Sequence, residues 1–251
     1  MKKVNPNKLL KNGRGLFLAY DQGLEHGPIE FNDKNVDPKY IIDIAKKGKF
    51  QGMIFQKGIA EKYQKEIKDS RIPLIVKLNG KTNLYKGEPI SPVICTVKEA
   101  IKLGAVAVGF TIYIGSKHEE EMIEEFEEAR KKAHKAGLPI IAWIYPRGKS
   151  VKNPKSKKMI AYAARVGLEL GADIVKINYA GNEKGTEWAV KSAGKTIVLI
   201  AGGNKTGEKE FLKQVKEVMK SGASGLVIGR NIWKHQKPVE LTKKIKKIIF
   251  K

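Results

Sequence analysis

A unit that recurs eight times constrains the fold of this chain more than any other feature. Each unit is a short apolar run followed by a turn and an amphipathic stretch. The runs are Leu16–Asp21, Gly52–Gln56, Ile72–Asn79, Ala105–Ile112, Leu138–Tyr145, Gly171–Tyr179, Lys195–Ala201 and Gly225–Arg230. Such runs are typical of parallel strands that are buried on both faces. Eight of them in a 251-residue chain predict a (β/α)8 TIM barrel. A doubly wound open sheet is the main alternative, but it would not need eight regular units.

The helices and the domain organisation follow from the same pattern. The expected helices begin near Asp37 and then cover Ile59–Lys68, Thr96–Leu103, His118–Ala136, Lys158–Leu170, Thr186–Ala193, Glu208–Lys220 and Val239–Phe250. No shift in composition marks a boundary, so we expect residues 1–251 to form one barrel domain.

The formal net charge of +23 is the unusual total of this sequence. Such a charge is consistent with a nucleic-acid partner, with an anionic substrate, or merely with a lysine-rich surface. Only six of the 49 basic residues are arginine, and aromatic residues are not interleaved with the basic runs at 152–158 and 243–247. We therefore expect solvated lysines that help to attract a phosphorylated substrate, and no nucleic-acid partner; a non-catalytic nucleic-acid-binding barrel is the remote alternative.

Targeting and metal-binding signals are absent from the sequence. Cys95 is the only cysteine, so we expect neither an intrachain disulfide nor a thiolate metal cluster. No apolar stretch reaches the roughly 18 residues of a membrane span, and residues 1–15 lack the apolar core of a signal peptide. The dispersed histidines are His26, His118, His134 and His235. We expect a cytoplasmic protein with no metal and no membrane partner.

The active site of a (β/α)8 barrel is built at the C-terminal ends of its strands. In this sequence those ends concentrate polar, charged and glycine residues. They are Asp21, Gln56, Lys57, Lys77, Asn79, Tyr145, Arg147, Lys176, Asn178, Gly202, Gly203, Gly229 and Arg230. Some of them have ordinary structural explanations, because aspartates cap turns, strand-end lysines form ion pairs and a lone tyrosine usually packs in a core.

The segment Gly171–Tyr179 places a lysine in a strand that should be covered on both faces. A period of two puts Val175, Ile177 and Tyr179 on one face and Ile174, Lys176 and Asn178 on the other. A lysine whose stem reaches water is the ordinary explanation. The segment Leu74–Asn79 repeats the pattern with Lys77. The residues alone do not decide which of the two amines has the lowered pKa of a nucleophile.

Two glycine segments predict a phosphate site. Gly202 and Gly203 end the seventh run, and Gly229 and Arg230 end the eighth. Barrels often bind phosphate with the loops after these two strands, where glycines admit the anion to backbone N–H groups and an arginine adds a planar charge. A barrel lysine, Tyr145 on the neighbouring strand and a phosphate site together suggest Schiff-base chemistry on a phosphorylated carbonyl compound.

With these residues noted, the chain resembles the archaeal-type class I fructose-bisphosphate aldolases, which are DeoC-like barrels. The matching segments are Leu18–Asp21, Glu25–Pro28, Phe55–Tyr63, Leu78–Thr82, Thr111–Tyr113, Tyr145–Gly148, Ala161–Arg165, Gly171–Asp173 with Lys176, Gly202–Gly203 and Gly229–Asn231. The resemblance implies reversible cleavage of fructose 1,6-bisphosphate to dihydroxyacetone phosphate and glyceraldehyde 3-phosphate. It also implies a homo-oligomer, often a decamer of pentameric rings, and no cofactor beyond the covalent imine.

The resemblance also implies a role for each matching residue. Lys176 would form the Schiff base, Tyr145 would be the acid and base at the dihydroxyacetone phosphate carbon, and Asp21 would act on the C4 hydroxyl. Trp143 would form a wall of the pocket. The groups that would hold the C1 phosphate are Gly202, Gly203, Gly229 and Arg230.

The chain departs from this family at three positions. Gln22 stands where the family usually has histidine, Asn178 where it often has a second lysine, and Asn204 where it usually has proline. A similar enzyme class, the heptulosonate synthases of aromatic biosynthesis, uses the same lysine and tyrosine with another acceptor and is the alternative function. The segments Glu25–His26 and Lys57–Lys62 look closer to the glycolytic aldolases.

Overall fold

The computed structural model describes residues 4–251 and contains a closed barrel of eight parallel strands. The strands are β1 (Gly15–Ala19), β2 (Gly52–Gln56), β3 (Leu74–Lys77), β4 (Ala107–Ile114), β5 (Ile140–Pro146), β6 (Ile174–Ile177), β7 (Ile197–Ala201) and β8 (Gly225–Ile228). They follow one another around the barrel in sequence order, and β8 pairs with β1 to close it. The predicted (β/α)8 barrel is confirmed.

The helices lie between and after the strands. They are α1 (Gly23–His26), α2 (Pro38–Gly48), α3 (Lys57–Lys62), α4 (Gln64–Ser70), α5 (Val97–Lys102), α6 (Glu119–Ala136), α7 (Lys157–Glu169), α8 (Glu183–Ser192), α9 (Glu208–Lys220), α10 (Arg230–Trp233) and α11 (Pro238–Ile249). Side chains cap several N-termini: Asp37 accepts a hydrogen bond from the Lys39 N–H, and Thr96 and Glu99 form a capping box. No described helix in residues 4–251 is long and apolar enough to cross a membrane.

Alternation along the strands separates two cores. Outward side chains such as Val175 and Ile177 pack against the helices. Inward side chains fill the barrel and include Phe17, Ile54, Ile75, Ile141, Trp143, Ile174, Leu199 and Val227. Leu9, from a short 3-10 helix at Pro6–Leu9, joins this interior cluster. The two faces predicted for the lysine-bearing strand are therefore confirmed for its buried residues.

The elements differ from the predicted ones mainly at their ends. Strand β6 stops at Ile177, because Asn178 and Tyr179 have left the sheet ladder. The helix expected over Ile59–Lys68 is split at Tyr63, whose backbone is not helical, into α3 and α4. A short helix and a 3-10 turn at Gly27–Glu30 occupy the loop after β1. Residues 1–3, which belong to the stretch 1–15 considered as a signal peptide, lie outside the described residues.

Candidate active site

A cavity of about 350 Å³ opens at the C-terminal end of the barrel. Every residue to which the sequence assigned a role lines it: Asp21, Trp143, Tyr145, Lys176, Gly202, Gly203, Gly229 and Arg230. They come from or follow β1, β5, β6, β7 and β8, so residues more than 200 positions apart meet at one end of the barrel. This is the end at which barrel enzymes place their catalytic groups.

Lys176 lies on the inward face of β6, one tier above the interior residue Ile174. Its Cα partner across the ladder is Trp143 of β5, and its Nζ lies 5.0 Å from the centroid of the Trp143 ring. Only 6 % of Lys176 is exposed, so its stem does not carry the amine out to bulk water. The ordinary explanation of a strand-end lysine is therefore wrong here.

The surroundings of Lys176 make its amine easy to deprotonate. Burial lowers its pKa to about 8, since the charged form loses its hydration. Asp21 and Glu25 act in the opposite direction, whereas the charge of Lys77 lowers the pKa further. Among residues 4–251, no carboxylate lies within ion-pair distance of the Lys176 amine. A neutral amine in a cavity is the nucleophile that Schiff-base chemistry requires.

Lys77 reaches the same cavity from β3 but has a different partner. Its Nζ lies 3.5 Å from Oδ2 of Asp21, and both side chains are almost fully buried. The same Nζ is 5.7 Å from the centroid of the Trp143 ring. The two lysines that the sequence could not separate thus differ in one contact: Lys77 is ion-paired, and Lys176 is not.

Tyr145 follows Trp143 by two positions on β5 and so shares its inward face. Burial raises the pKa of the Tyr145 phenol well above its ordinary value, and the charges of Asp21 and Glu25 raise it further. The phenol therefore stays protonated across the physiological range and can donate a proton. Tyr113 is the Cα partner of Tyr145 on β4, and burial likewise raises its pKa.

The position of the Trp143 ring depends on a glycine. A Cβ built on Gly109 of β4 would lie 2.1 Å from two carbons of the indole ring. The ring therefore occupies the space above the Gly109 backbone and crosses part of the barrel interior. This places an apolar surface beside both lysines.

The loops after β7 and β8 are joined at the predicted phosphate site. The Asn231 side chain donates hydrogen bonds to the carbonyl oxygens of Gly202, at 2.9 Å, and Asn204, at 2.8 Å. Gly203 has a φ of +70°, a left-handed conformation that glycine adopts without strain. A Cβ on Gly229 would lie 2.9 Å from the Ala19 carbonyl oxygen, so this position also needs glycine.

Arg230 lies at the rim of the same loops. Its guanidinium pairs with Glu30, at 3.0 Å, and donates to the Asn204 side chain, also at 3.0 Å. The predicted phosphate ligand is thus held in place by neighbours, with Asn204 at one of the positions where the chain departs from the resembled family. An anion at the glycines would compete with Glu30 for the arginine.

Comparison with known proteins identifies the family. A sequence profile described as DeoC/LacD family aldolase matches residues 16–235. The chain belongs to this family. The predicted resemblance is confirmed, and with it the assignment of the chain as an aldolase, which is a lyase.

Similar proteins extend over nearly the whole aldolase chain. It is 48 % identical over 243 residues to a class 1 fructose-bisphosphate aldolase of Thermoproteus tenax, covering 96 % of this chain and 91 % of that protein. A class 1 fructose-bisphosphate aldolase of Halobacterium salinarum is 44 % identical over 252 residues, covering 100 % and 95 %.

Solved structures agree with these relatives. The aldolase superimposes with a TM-score of 0.93 on an archaeal fructose-1,6-bisphosphate aldolase whose catalytic lysine is covalently bound to the carbinolamine intermediate of the substrate. That chain is 46 % identical, and the match covers 98 % of each chain. A structure of the Schiff-base-forming aldolase that describes reaction intermediates matches with the same TM-score and identity over 97 % of each chain.

Two strand-end residues from the sequence list do not line the cavity of the aldolase. Lys57 pairs with Glu99 at 2.5 Å and is an ordinary ion-pairing lysine. Asn79 is fully buried: its amide donates to the carbonyl oxygens of Ser91 and Thr111, and its side-chain oxygen accepts from the Thr111 N–H. Asn79 therefore holds backbone segments together, although it occupies the same place in its segment as Asn178, which does line the cavity.

Sequence reasoning gave no role to several residues that line the cavity. Lys81 and Lys155 follow β3 and β5, and burial lowers the pKa of Lys81. Arg147 also follows β5, pairs with Glu25 at 2.6 Å and lies over the Tyr113 ring. Lys81 was inside a matching segment and Lys155 inside a basic run. No spacing signal marked either as a site residue.

Proposed function

We propose that this chain catalyses the reversible cleavage of fructose 1,6-bisphosphate to dihydroxyacetone phosphate and glyceraldehyde 3-phosphate, with Lys176 as the Schiff-base residue. The observation that carries the proposal is the buried amine of Lys176, which has no carboxylate partner among residues 4–251 and lines one cavity with Tyr145 and Asp21. The relatives named as fructose-bisphosphate aldolases favour this substrate over a heptulosonate synthase acceptor.

The cavity has basic groups at two ends, as a bisphosphate requires. Arg230 and the glycines after β7 and β8 form one end and would hold the C1 phosphate. Lys81, Arg147 and Lys155, which follow β3 and β5, supply positive charge across the barrel mouth and would attract the C6 phosphate. The surface lysines would add to the field that draws in an anionic sugar.

The first half of the cleavage reaction forms the imine. The neutral Lys176 amine attacks C2 of the open-chain sugar and gives a carbinolamine. The Tyr145 phenol supplies the proton with which the C2 hydroxyl leaves as water. The protonated imine that remains on Lys176 is an electron sink.

The second half breaks the carbon–carbon bond. The Asp21 carboxylate accepts the proton of the C4 hydroxyl while the C3–C4 bonding electrons move into the imine. Glyceraldehyde 3-phosphate leaves as the aldehyde, and an enamine stays on Lys176. The Tyr145 phenolate left by the dehydration step regains a proton from the protonated Asp21 through water. Tyr145 then protonates C3 of the enamine, and water hydrolyses the resulting imine, which returns one proton to Tyr145 and frees dihydroxyacetone phosphate and the neutral amine.

Other features of the proposal rest on the family resemblance and the composition. The chain is one barrel domain over residues 1–251. It works in the cytoplasm without a metal or other cofactor, and it assembles as a homo-oligomer, a decamer of two pentameric rings. Light scattering on the purified protein measures the assembly directly.

The experiment that tests the function combines turnover with trapping. The purified enzyme is given fructose 1,6-bisphosphate, and release of both triose phosphates is followed. Borohydride reduction with dihydroxyacetone phosphate, followed by peptide mass spectrometry, should place the adduct on Lys176. The Lys176→Met variant should lose both signals, and Lys57→Met, which changes a lysine outside the cavity, should keep both. An adduct on Lys77, or no adduct, would contradict the assignment. Faster transfer to an aspartate-semialdehyde acceptor would favour the heptulosonate synthase alternative.

A further inference from the structure

Lys77 is a buried titratable residue that the proposed mechanism does not use. It lies on the inward face of β3, 7 % exposed, with Gly109 of β4 as its Cα partner. Its contacts are the Asp21 carboxylate, at 3.5 Å, and the Trp143 ring. Burying an ion pair gains little stability over packing apolar side chains in the same space. Stability therefore does not account for a buried lysine at this position, and we consider a functional role for it.

One carboxylate lies between two lysines in this cavity. A lysine that pairs with Asp21 is favoured in its charged form, and a charged Lys176 cannot attack a carbonyl carbon. The structure pairs Asp21 with Lys77 and leaves Lys176 without a carboxylate partner among the described residues. Which lysine takes Asp21 thus decides which lysine is the nucleophile.

We propose that Lys77 is a positioning residue that holds Asp21 in an ion pair, orienting the carboxylate toward the C4 hydroxyl and keeping it from pairing with the Lys176 amine, which then loses its proton more readily and can attack. The inference rests on the proposed function, because it assigns a task to Lys77 within the Schiff-base reaction. The charge of Lys77 contributes in a second way, since it repels an ammonium on Lys176 and so lowers the pKa of that amine.

Several other titratable and charged side chains surround Lys176. The titratable and charged side chains that line the cavity with it are Asp21, Glu25, His26, Lys77, Lys81, Tyr113, Tyr145, Arg147, Lys155 and Arg230. Of these, Asp21, Lys77 and Glu25 are the ones that act on the pKa of Lys176. Burial keeps both tyrosines protonated to high pH, and Arg147 is paired with Glu25. Asp21 and Lys77 have the largest charge effects on Lys176, so removing this pair changes its surroundings most directly.

The test measures the pH dependence of reductive trapping of dihydroxyacetone phosphate on Lys176 in the full-length protein. Lys77→Met should move the trapping profile to higher pH by about one unit, because the freed Asp21 then stabilises the Lys176 ammonium; trapping at pH 7 should slow about tenfold. Asp21→Asn should move the profile to lower pH while abolishing most cleavage of fructose 1,6-bisphosphate. The double variant should return the profile toward that of the wild type but not restore cleavage.

The controls keep the outcome decisive. Lys57→Met removes a lysine that pairs with Glu99 outside the cavity and should leave the profile unchanged. If Lys77→Met does not fold, the comparison of Asp21→Asn with the double variant isolates the Lys77 charge, since neither leaves an unpaired buried carboxylate. A profile that stays the same when Lys77 is removed from the wild type overturns the inference. An unchanged profile when Lys77 is removed from Asp21→Asn overturns the contribution of its charge. Absence of a Lys176 adduct in the wild type would instead overturn the proposed function.

Discussion

The amine of Lys176 lies 5.0 Å from the ring centroid of Trp143, and the two residues are Cα partners across β5 and β6. An indole face attracts a cation, so this contact by itself would favour an ammonium. The loss of hydration beside the ring acts in the other direction, and burial lowers the pKa of Lys176 to about 8. Burial therefore outweighs the attraction of the ring, and the Lys176 amine is more easily deprotonated than that of an exposed lysine.

The lowered pKa of Lys176 predicts that this buried lysine reduces the free energy of unfolding of the protein. Its pKa rises from about 8 in the folded chain to the ordinary value of 10.5 in the unfolded chain, so the unfolded chain binds more protons between these values. The cost is full below pH 8 and disappears as the pH rises through 10.5. We expect Lys176→Met to raise the free energy of unfolding by about 2–3 kcal/mol at pH 7. Urea unfolding at pH 7 and pH 10 measures the gain, which should shrink at the higher pH. A variant less stable than the wild type at pH 7 would contradict this account.

Removal of the Tyr145 hydroxyl should separate proton transfer from binding. The raised pKa of the phenol keeps it protonated, and it is the proposed donor for the loss of water and for the enamine carbon. We expect Tyr145→Phe to lower kcat by about 10²–10⁴-fold, the range for a lost general acid, with a much smaller change in KM. Steady-state kinetics with fructose 1,6-bisphosphate measure both. An unchanged kcat would exclude Tyr145 as the proton donor.

The Arg230 guanidinium should contribute to phosphate binding and not to chemistry. Charge-assisted hydrogen bonds are worth about 1.5–3 kcal/mol, so Arg230→Met should raise KM for fructose 1,6-bisphosphate by about 10- to 100-fold. The matched substrate is dihydroxyacetone, which lacks the phosphate. Its condensation with glyceraldehyde 3-phosphate should be nearly unaffected by the change. Equal losses with dihydroxyacetone and its phosphate would mean that Arg230 acts through the loop structure.

Gly109 provides a test of the packing that positions the indole ring. A methyl group there would overlap two carbons of the Trp143 ring, so the ring must move. We expect Gly109→Ala to cost about 1–3 kcal/mol of stability, as overpacked cores do, and to lower kcat because the surroundings of Lys176 change. Thermal unfolding and kinetics measure the two effects. Gly58→Ala is the control: Gly58 has open space and lies inside α3, so kcat should match the wild type and stability should not fall.

The fold and the faces of its strands were predictable because they depend on short-range periodicity. Alternation placed Ile174 and Lys176 inside the barrel and Val175 and Ile177 outside, as the structure has them. The ends of the elements were less accurate. The apolar run at Gly171–Tyr179 continues past the ladder of β6, since residues that line a site can leave the sheet and keep its alternation.

The sequence alone could not distinguish Lys77 from Lys176 as the nucleophile. Their local sequences are nearly identical, and so their faces and places on the strands are the same. The structure separates them because Asp21, which lies after β1, is within ion-pair distance of Lys77 and not of Lys176. Local sequence carries no information about a partner that comes from a strand remote along the chain.

The asparagines two positions beyond these lysines also occupy equivalent places in the sequence and have different surroundings in the structure. The Asn79 side chain donates hydrogen bonds to the carbonyl oxygens of Ser91 and Thr111, whereas Asn178 lines the cavity. The sequence by itself determined the barrel, the inward face of each strand and the end at which chemistry takes place, because these follow from the spacing of apolar residues. Only the tertiary structure decided which polar side chains are held in ion pairs or hydrogen bonds and which are free to react, because that depends on neighbours that folding brings together.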